Sequence, residues 1–229
     1  MRGVFITGTS TGVGKTIVAA GLAAALRKRN VNVGVMKPFA TASKRYSSKF
    51  RSEDTAMLAR AADVKDSDEE INPAFYELPA APLMAAKMTN SSVNMQEVLY
   101  ALKKLSIKHS FVVVEGIGGI MVPLTEKETV ADFAKLAEMP VVIVTHPLLG
   151  TMNHTILTVN ACRQYGLDVK GIIVNMMPKK PSPVEKATPE TIERFTKIPV
   201  VATIPFSKSP SYRKTASLLE KLAASLTMH

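Results

Sequence analysis

Apolar residues along this chain fall into short β-branched runs, separated by longer stretches with helical spacing. Val4-Phe5-Ile6 is the first run. Ile17, Val18, Gly21, Leu22, Ala25 and Leu26 then lie at the spacing of a helix over 14–29, with Arg27, Lys28 and Arg29 in its last turn. Val31 to Met36 reads as a second strand. Residues 41–51 read as a polar, basic loop. Ser52 is placed as an N-cap, with Glu53 and Asp54 in the first turn of a helix reaching about Ala62. Residues 63–92 carry Pro73, Pro79 and Pro82 and read as irregular, with a short helix near 82–88. Asn94 to Glu97 has the form of a capping box opening a helix to about Leu105.

Phe111-Val112-Val113-Val114 is apolar without alternation, the mark of a parallel strand buried on both faces. A short helix over 129–138 follows, then a strand from Val141 to Thr145. Thr151 to Tyr165 is a helix that Gly166 terminates. Lys170 to Val174 is a strand ending at Asn175, and 178–187 reads as a Pro/Lys linker. Thr188-Pro189 reads as a cap and N1 proline, Val200 to Ile204 as the last strand, and 212–226 as a closing helix. Strands alternating with helices predict an α/β fold: a mostly parallel sheet with helices on both faces, P-loop NTPase-like, in one domain over residues 1–229.

One stretch carries chemistry on its face. Gly8-Thr9-Ser10-Thr11-Gly12-Val13-Gly14-Lys15-Thr16 lies between the first strand and the first helix. Such a turn points backbone N–H groups inward and sets the positive end of a helix dipole toward an anion. Lys15 then reaches the β- and γ-phosphates and the Thr16 hydroxyl binds Mg²⁺. The strict pattern G-x4-G-K-[ST] requires Gly at position 9, which is Thr, so this is a P-loop variant.

Every predicted strand delivers a polar or special residue at its C-terminal end, where open α/β sheets bind ligands. Lys37 precedes Pro38, Glu115 opens Glu115-Gly116-Ile117-Gly118-Gly119, and the later ends lead to Gly150, Asn175 and Pro205. Glu115 has the place of a Walker B carboxylate beside the P-loop threonine. Taken singly, Lys37 reads as well as a surface lysine, Asp54 as a charge complementing a helix dipole, and the 116–119 glycines as a plain tight turn.

Charge adds one question. The chain has 229 residues and a net charge of +10, and Lys44 to Arg51 is a basic run. It is either a nucleic-acid patch or a loop that steers nucleotide and anionic substrate. No helix-turn-helix, zinc-finger or RNP pattern accompanies it, which argues against nucleic acid as a partner. Cys162 is the single cysteine, so no disulfide framework exists and a reducing compartment is expected. No signal peptide precedes the first strand, and no apolar run nears the roughly 18 residues of a membrane span. The expectation is a cytoplasmic protein without membrane partners.

Together these residues resemble the dethiobiotin synthetase family. That family's loop reads Gly-Thr-Asp-Thr-x-Val-Gly-Lys-Thr, with the same extra residue between its glycines. Lys37-Pro38, Asp54, the Glu115 to Gly119 stretch, Pro123-Leu124, Gly150-x-x-Asn153-His154, Asn175 and Ile204-Pro205 match in family order over almost the whole chain. The resemblance implies ATP- and Mg²⁺-dependent closure of 7,8-diaminopelargonate with CO₂ or bicarbonate to dethiobiotin, through a carbamate and a carbamic–phosphoric anhydride. It implies Lys15 and Lys37 as catalytic cations and Thr16, Asp54 and Glu115 as Mg²⁺ ligands. Gly12, Val13, Gly14, Ile17, Gly116 and Gly118 would line the nucleotide, with Asn175, Ile204, Pro205 and Phe206 at the base. Thr11, Thr41 and Gly118 would meet the substrate, and Gly150, Thr151 and Asn153 would take its far carboxylate. In the family that last helix comes from the partner subunit, which implies a homodimer. Ser10, Thr41 and Ala42 differ from the family's usual Asp, Ser and Gly. A partitioning or cell-division switch ATPase would place a second lysine at position 10, and an amide synthase of the cobyrinic acid type would add a glutaminase domain.

Overall fold

The apolar runs settle into one six-stranded sheet. A computed structural model describes residues 1–228, and its strands are β1 (Gly3–Gly8), β2 (Val33–Met36), β5 (Phe111–Glu115), β6 (Val141–Thr145), β7 (Val169–Met177) and β8 (Val200–Pro205). Their order is β2-β5-β1-β6-β7-β8, and every pairing is parallel. The chain leaves β1 for one side of the sheet and leaves β5 for the other. The crevice beyond the C-terminal end of β1 is therefore a topological switch point.

Side chains alternate along each strand, so a run that looks uniformly apolar serves two cores. Val4 and Ile6 join one cluster and Phe5 the other, and Val113 parts from Val112 and Val114 in the same way. On the first face lie α1 (Lys15–Lys28), α2 (Glu53–Ala62), α9 (Tyr212–Leu218) and α10 (Glu220–Thr227). On the second lie α5 (Met95–Lys108), α6 (Val130–Ala137), α7 (Thr151–Gln164) and α8 (Pro183–Thr196). Cys162 is buried in that second core. Among the described residues no helix is long and apolar enough to cross a membrane.

Four local readings change. The irregular region contains β4 (Ala74–Tyr76), which pairs only with β3 (Phe39–Thr41), and a one-turn helix α3 (Asp68–Ile71). Three-residue strands are too short to show a period, so the pattern hid them. The short helix expected near 82–88 is α4 (Pro82–Met88). The Pro/Lys linker is shorter than expected. α8 starts at Ser182, whose side chain accepts from the Glu185 N–H in a reciprocal capping box, with Pro183 in the first turn. Two satisfied N-terminal donors outweigh Pro189, which sits inside the helix. The third change is the closing helix, which divides at Leu219. Asn175 is the fourth, lying within β7 rather than beyond it.

Candidate active site

The P-loop joins β1 to α1 through a residue that only glycine fills. Gly14 is the N-cap of α1 at φ +86°, and no side chain caps the helix. The first-turn N–H groups therefore have no intrahelical acceptor and point outward. A Cβ on Gly14 would stand 2.1 Å from Asn175 Nδ2. That amide in turn donates to the Val13 carbonyl at 2.9 Å, so β7 braces the loop from below. Lys15 Nζ donates to the Ser10 carbonyl at 3.0 Å, across the loop's mouth. Burial, with Lys37 as a second cation nearby, lowers the Lys15 pKa to about 8.

The other strand ends bring a buried charge cluster to the same place. Lys37 lies one residue past β2 and Glu115 ends β5; both are almost fully buried. Lys37 Nζ donates to Glu115 Oε1 at 2.6 Å and lies 2.9 Å from Asp54 Oδ2. It also reaches the Gly116 carbonyl at 3.3 Å. The Thr16 hydroxyl donates to the same Glu115 Oε1 at 2.8 Å. Burial disfavours the charged lysine, but the two facing carboxylates outweigh it and raise the Lys37 pKa. Burial likewise opposes the Asp54 carboxylate, and Lys37 overrides it, holding Asp54 low.

Thr16, Asp54 and Glu115 offer only oxygen donors, the set a hard divalent cation takes. Glu115 Oε2 is buried without a hydrogen-bond partner. The donor set and that unpaired atom both fit Mg²⁺.

Two cavities open from this cluster and share Gly14, Thr16 and Asp54 in their walls. The first, about 620 Å³, is lined by Thr11, Gly12, Lys15, Lys37, Thr41, Glu115 and Gly118, and is closed by a wall from Pro79 to Pro82. The second, about 550 Å³, is lined by Ile17, Asn175, Ile204, Pro205 and Phe206, with Met57, Lys179, Lys214 and Leu218. Val13 lines neither cavity: it is buried in the core, and its carbonyl accepts from Asn175. Gly150, Thr151 and Asn153 line neither cavity. Gly150 caps α7 at φ +91°, the buried Thr151 hydroxyl bonds Thr145 at 2.8 Å, and Asn153 is exposed. Sequence reasoning missed the Pro79–Pro82 wall and Met57, Lys179, Lys214 and Leu218. The prolines were visible, but wall residues carry no motif.

A family model described as an AAA domain matches residues 2–211. The ATP-dependent dethiobiotin synthetase BioD of Nitrosopumilus maritimus is 41% identical over 221 residues, which cover 96% of each chain. That of Bacillus velezensis is 42% identical over 221 residues, covering 96% of this chain and 94% of the relative. The chain belongs to the dethiobiotin synthetase family. The dethiobiotin synthetase BioD of Bacillus subtilis (strain 168) is 42% identical as well, over 205 residues that cover 90% of this chain and 87% of that one. Solved structures of a different kind share the fold. A ParA family ATPase from Chlorobium tepidum superimposes with a TM-score of 0.60 at 17% identity, covering 98% of this chain and 99% of that one. MinD of Aquifex aeolicus does so with 0.61 at 17%, covering 100% and 98%. At those identities the likeness is one of fold alone.

Proposed function

We propose that this chain closes 7,8-diaminopelargonate and CO₂ to the ureido ring of dethiobiotin at the expense of ATP. One observation carries the reading beyond family membership. The Lys37 ammonium stands in the same cavity as Lys15 and the P-loop, held by Asp54 and Glu115. A phosphate site alone needs no second buried cation there. A reaction that presses a carbamate anion against a γ-phosphate does.

In this reading CO₂ adds to one substrate amine, which loses a proton and becomes the carbamate. A carbamate oxygen attacks the γ-phosphorus and ADP leaves. The second amine then attacks the carbonyl carbon of the mixed anhydride and expels phosphate as the ring closes. The first-turn N–H groups of α1 and Lys15 hold the phosphates. Lys37 offsets the repulsion between carbamate and phosphate, and Thr41 and Thr11 orient the carbamate end. The Pro79–Pro82 wall excludes water beside the aliphatic chain. Thr16, Asp54 and Glu115 would hold Mg²⁺, which when bound supplies neutralising charge at the phosphate oxygens. The second cavity takes the nucleoside, with Pro205 and Phe206 against the base.

We read the working unit as a homodimer. The N-terminus of α7 lines neither cavity of its own chain, and beside it Leu149 is fully exposed and Leu148 is 59% exposed. A partner's Gly150–Asn153 segment at the open end of the first cavity would offer helix N–H groups to the substrate carboxylate, and a dimer contact would cover the exposed leucines that precede it. The compartment is read as cytoplasmic. Incubation with the diamine, bicarbonate, Mg²⁺ and ATP tests the assignment. Diamine-dependent ADP release with formation of dethiobiotin is expected, and ATP turnover indifferent to the diamine would overturn it.

A further inference from the structure

Lys37 is held from behind as well as in front. Its peptide lies where β2 has ended and Pro38 offers no N–H, so the sheet no longer fixes it. The 71–74 segment takes over. Lys37 N–H donates to the Ile71 carbonyl at 2.8 Å, and Ala74 N–H donates to the Pro38 carbonyl at 3.2 Å. Between them stands Asn72, fully buried. Its Nδ2 donates to the Lys37 carbonyl at 2.6 Å and to the Ala74 carbonyl at 3.3 Å. Both partners are carbonyls, so the amide has one possible orientation.

The other half of the amide shows that this orientation is held at a cost. Asn72 Oδ1 is buried without a partner. A leucine at 72 would remove that unsatisfied acceptor but leave the Lys37 carbonyl without its donor. Asn72 is itself clamped. Arg51 Nη2 donates to the Asn72 carbonyl and Arg51 Nε to Asp68 Oδ2, both at 2.5 Å, while Asn72 N–H donates to the Asp68 carbonyl at 2.6 Å. Arg51 is the last residue of the basic run 44–51, and this contact is one task of that run that lies away from both cavities.

We propose that Asn72 is the positioning residue for Lys37. It fixes the peptide that carries Lys37, and so fixes the direction in which the side chain leaves the strand end toward Asp54 and Glu115. Arg51 and Asp68 hold Asn72 in register. The inference rests on the reading of Lys37 as the cation that offsets carbamate–phosphate repulsion. A small loss of placement at such a group costs turnover while leaving nucleotide affinity alone.

The test is a double-mutant cycle in the full chain: wild type, Asn72→Ala, Lys37→Ala and the pair. Steady-state turnover with saturating diamine, the Kd for ATP and the thermal midpoint are measured for each. Asn72→Ala is expected to lower kcat about tenfold or more with the Kd for ATP within about twofold. The pair is expected to be no slower than Lys37→Ala alone, because the misplaced group is already gone. Losses that multiply in the pair, or full turnover by Asn72→Ala, overturn the proposal. If Lys37→Ala keeps full turnover, it is the reading of Lys37 that fails, which the cycle registers separately. Should Asn72→Ala not fold, Asn72→Ser takes its place under the same criteria, since the small hydroxyl leaves less of a void.

Discussion

The two cavities at the head of the sheet share Gly14, Thr16 and Asp54 and are otherwise built in opposite ways. The first draws its charged groups from the ends of β1, β5 and the edge strand β2, and these groups are buried. Lys15, Lys37 and Glu115 are each less than one-tenth exposed. The second is lined toward the opposite edge of the sheet by β8 and the loop after it, where Phe206 is 47% exposed. Buried charges hold fixed distances because each needs its partner. Exposed apolar side chains offer area without a fixed direction. The comparison therefore separates a place where geometry must be kept from one where surface is enough.

The largest expected effect falls where geometry matters most. Lys37→Ala should lower turnover about 10²- to 10³-fold, the cost of losing one aimed cation from a reacting centre. Nucleotide affinity, measured by equilibrium titration, should change severalfold at most. Equal loss of both would make Lys37 a nucleotide contact and erase the contrast between the cavities. Gly14→Ala strikes one of the residues that both cavities share. Its φ of +86° and the 2.1 Å approach to Asn175 leave no room for a methyl group. Backbone strain of roughly 1–3 kcal/mol is expected in a denaturation curve, with nucleotide binding weakened in parallel. Unchanged stability with unchanged binding would show that the Asn175 brace yields freely.

Phe206→Ala should do the reverse of Lys37→Ala. An exposed aromatic against a base is worth about 1 kcal/mol, so the Kd for ATP should rise roughly fivefold. With nucleotide saturating, kcat should stay near wild type. A fall in kcat at saturation would mean that the second cavity also positions the phosphates.

How much of this was legible in the sequence follows the same division. Gly14, Lys15 and Thr16 stood out because the chemistry of phosphate restricts residue type and spacing together, while Lys37 and Asp54 took on a role only through the resemblance. The central strands were readable because burial on both faces leaves only apolar residues. Met57, Lys179, Lys214 and Leu218 were not, because an apolar or half-exposed wall accepts many residues. Asn72 was invisible for another reason. It acts through bonds to the Lys37 and Ala74 carbonyls, beside a three-residue strand pairing, β3 with β4, that has no period to read. Thr188-Pro189 misled because a capping signal six residues earlier, at Ser182, had already started the helix.

The smallest expected effect is none, and it marks the outer limit of both cavities. Cys162 is the one thiol of the chain and lies on α7, in the core on the sheet face opposite α1. Burial pushes its pKa up to about 12. At pH 8 roughly one thiol in 10⁴ is then ionised, and only the thiolate reacts with alkylating reagents. Iodoacetamide at pH 8 should leave the folded protein unmodified by mass and fully active, while the unfolded chain takes up one adduct. Rapid labelling with loss of turnover would mean that α7 opens from the sheet on the timescale of the assay. The N-terminus of that helix would then be too mobile to complete a neighbouring site, and the homodimer reading would need another surface.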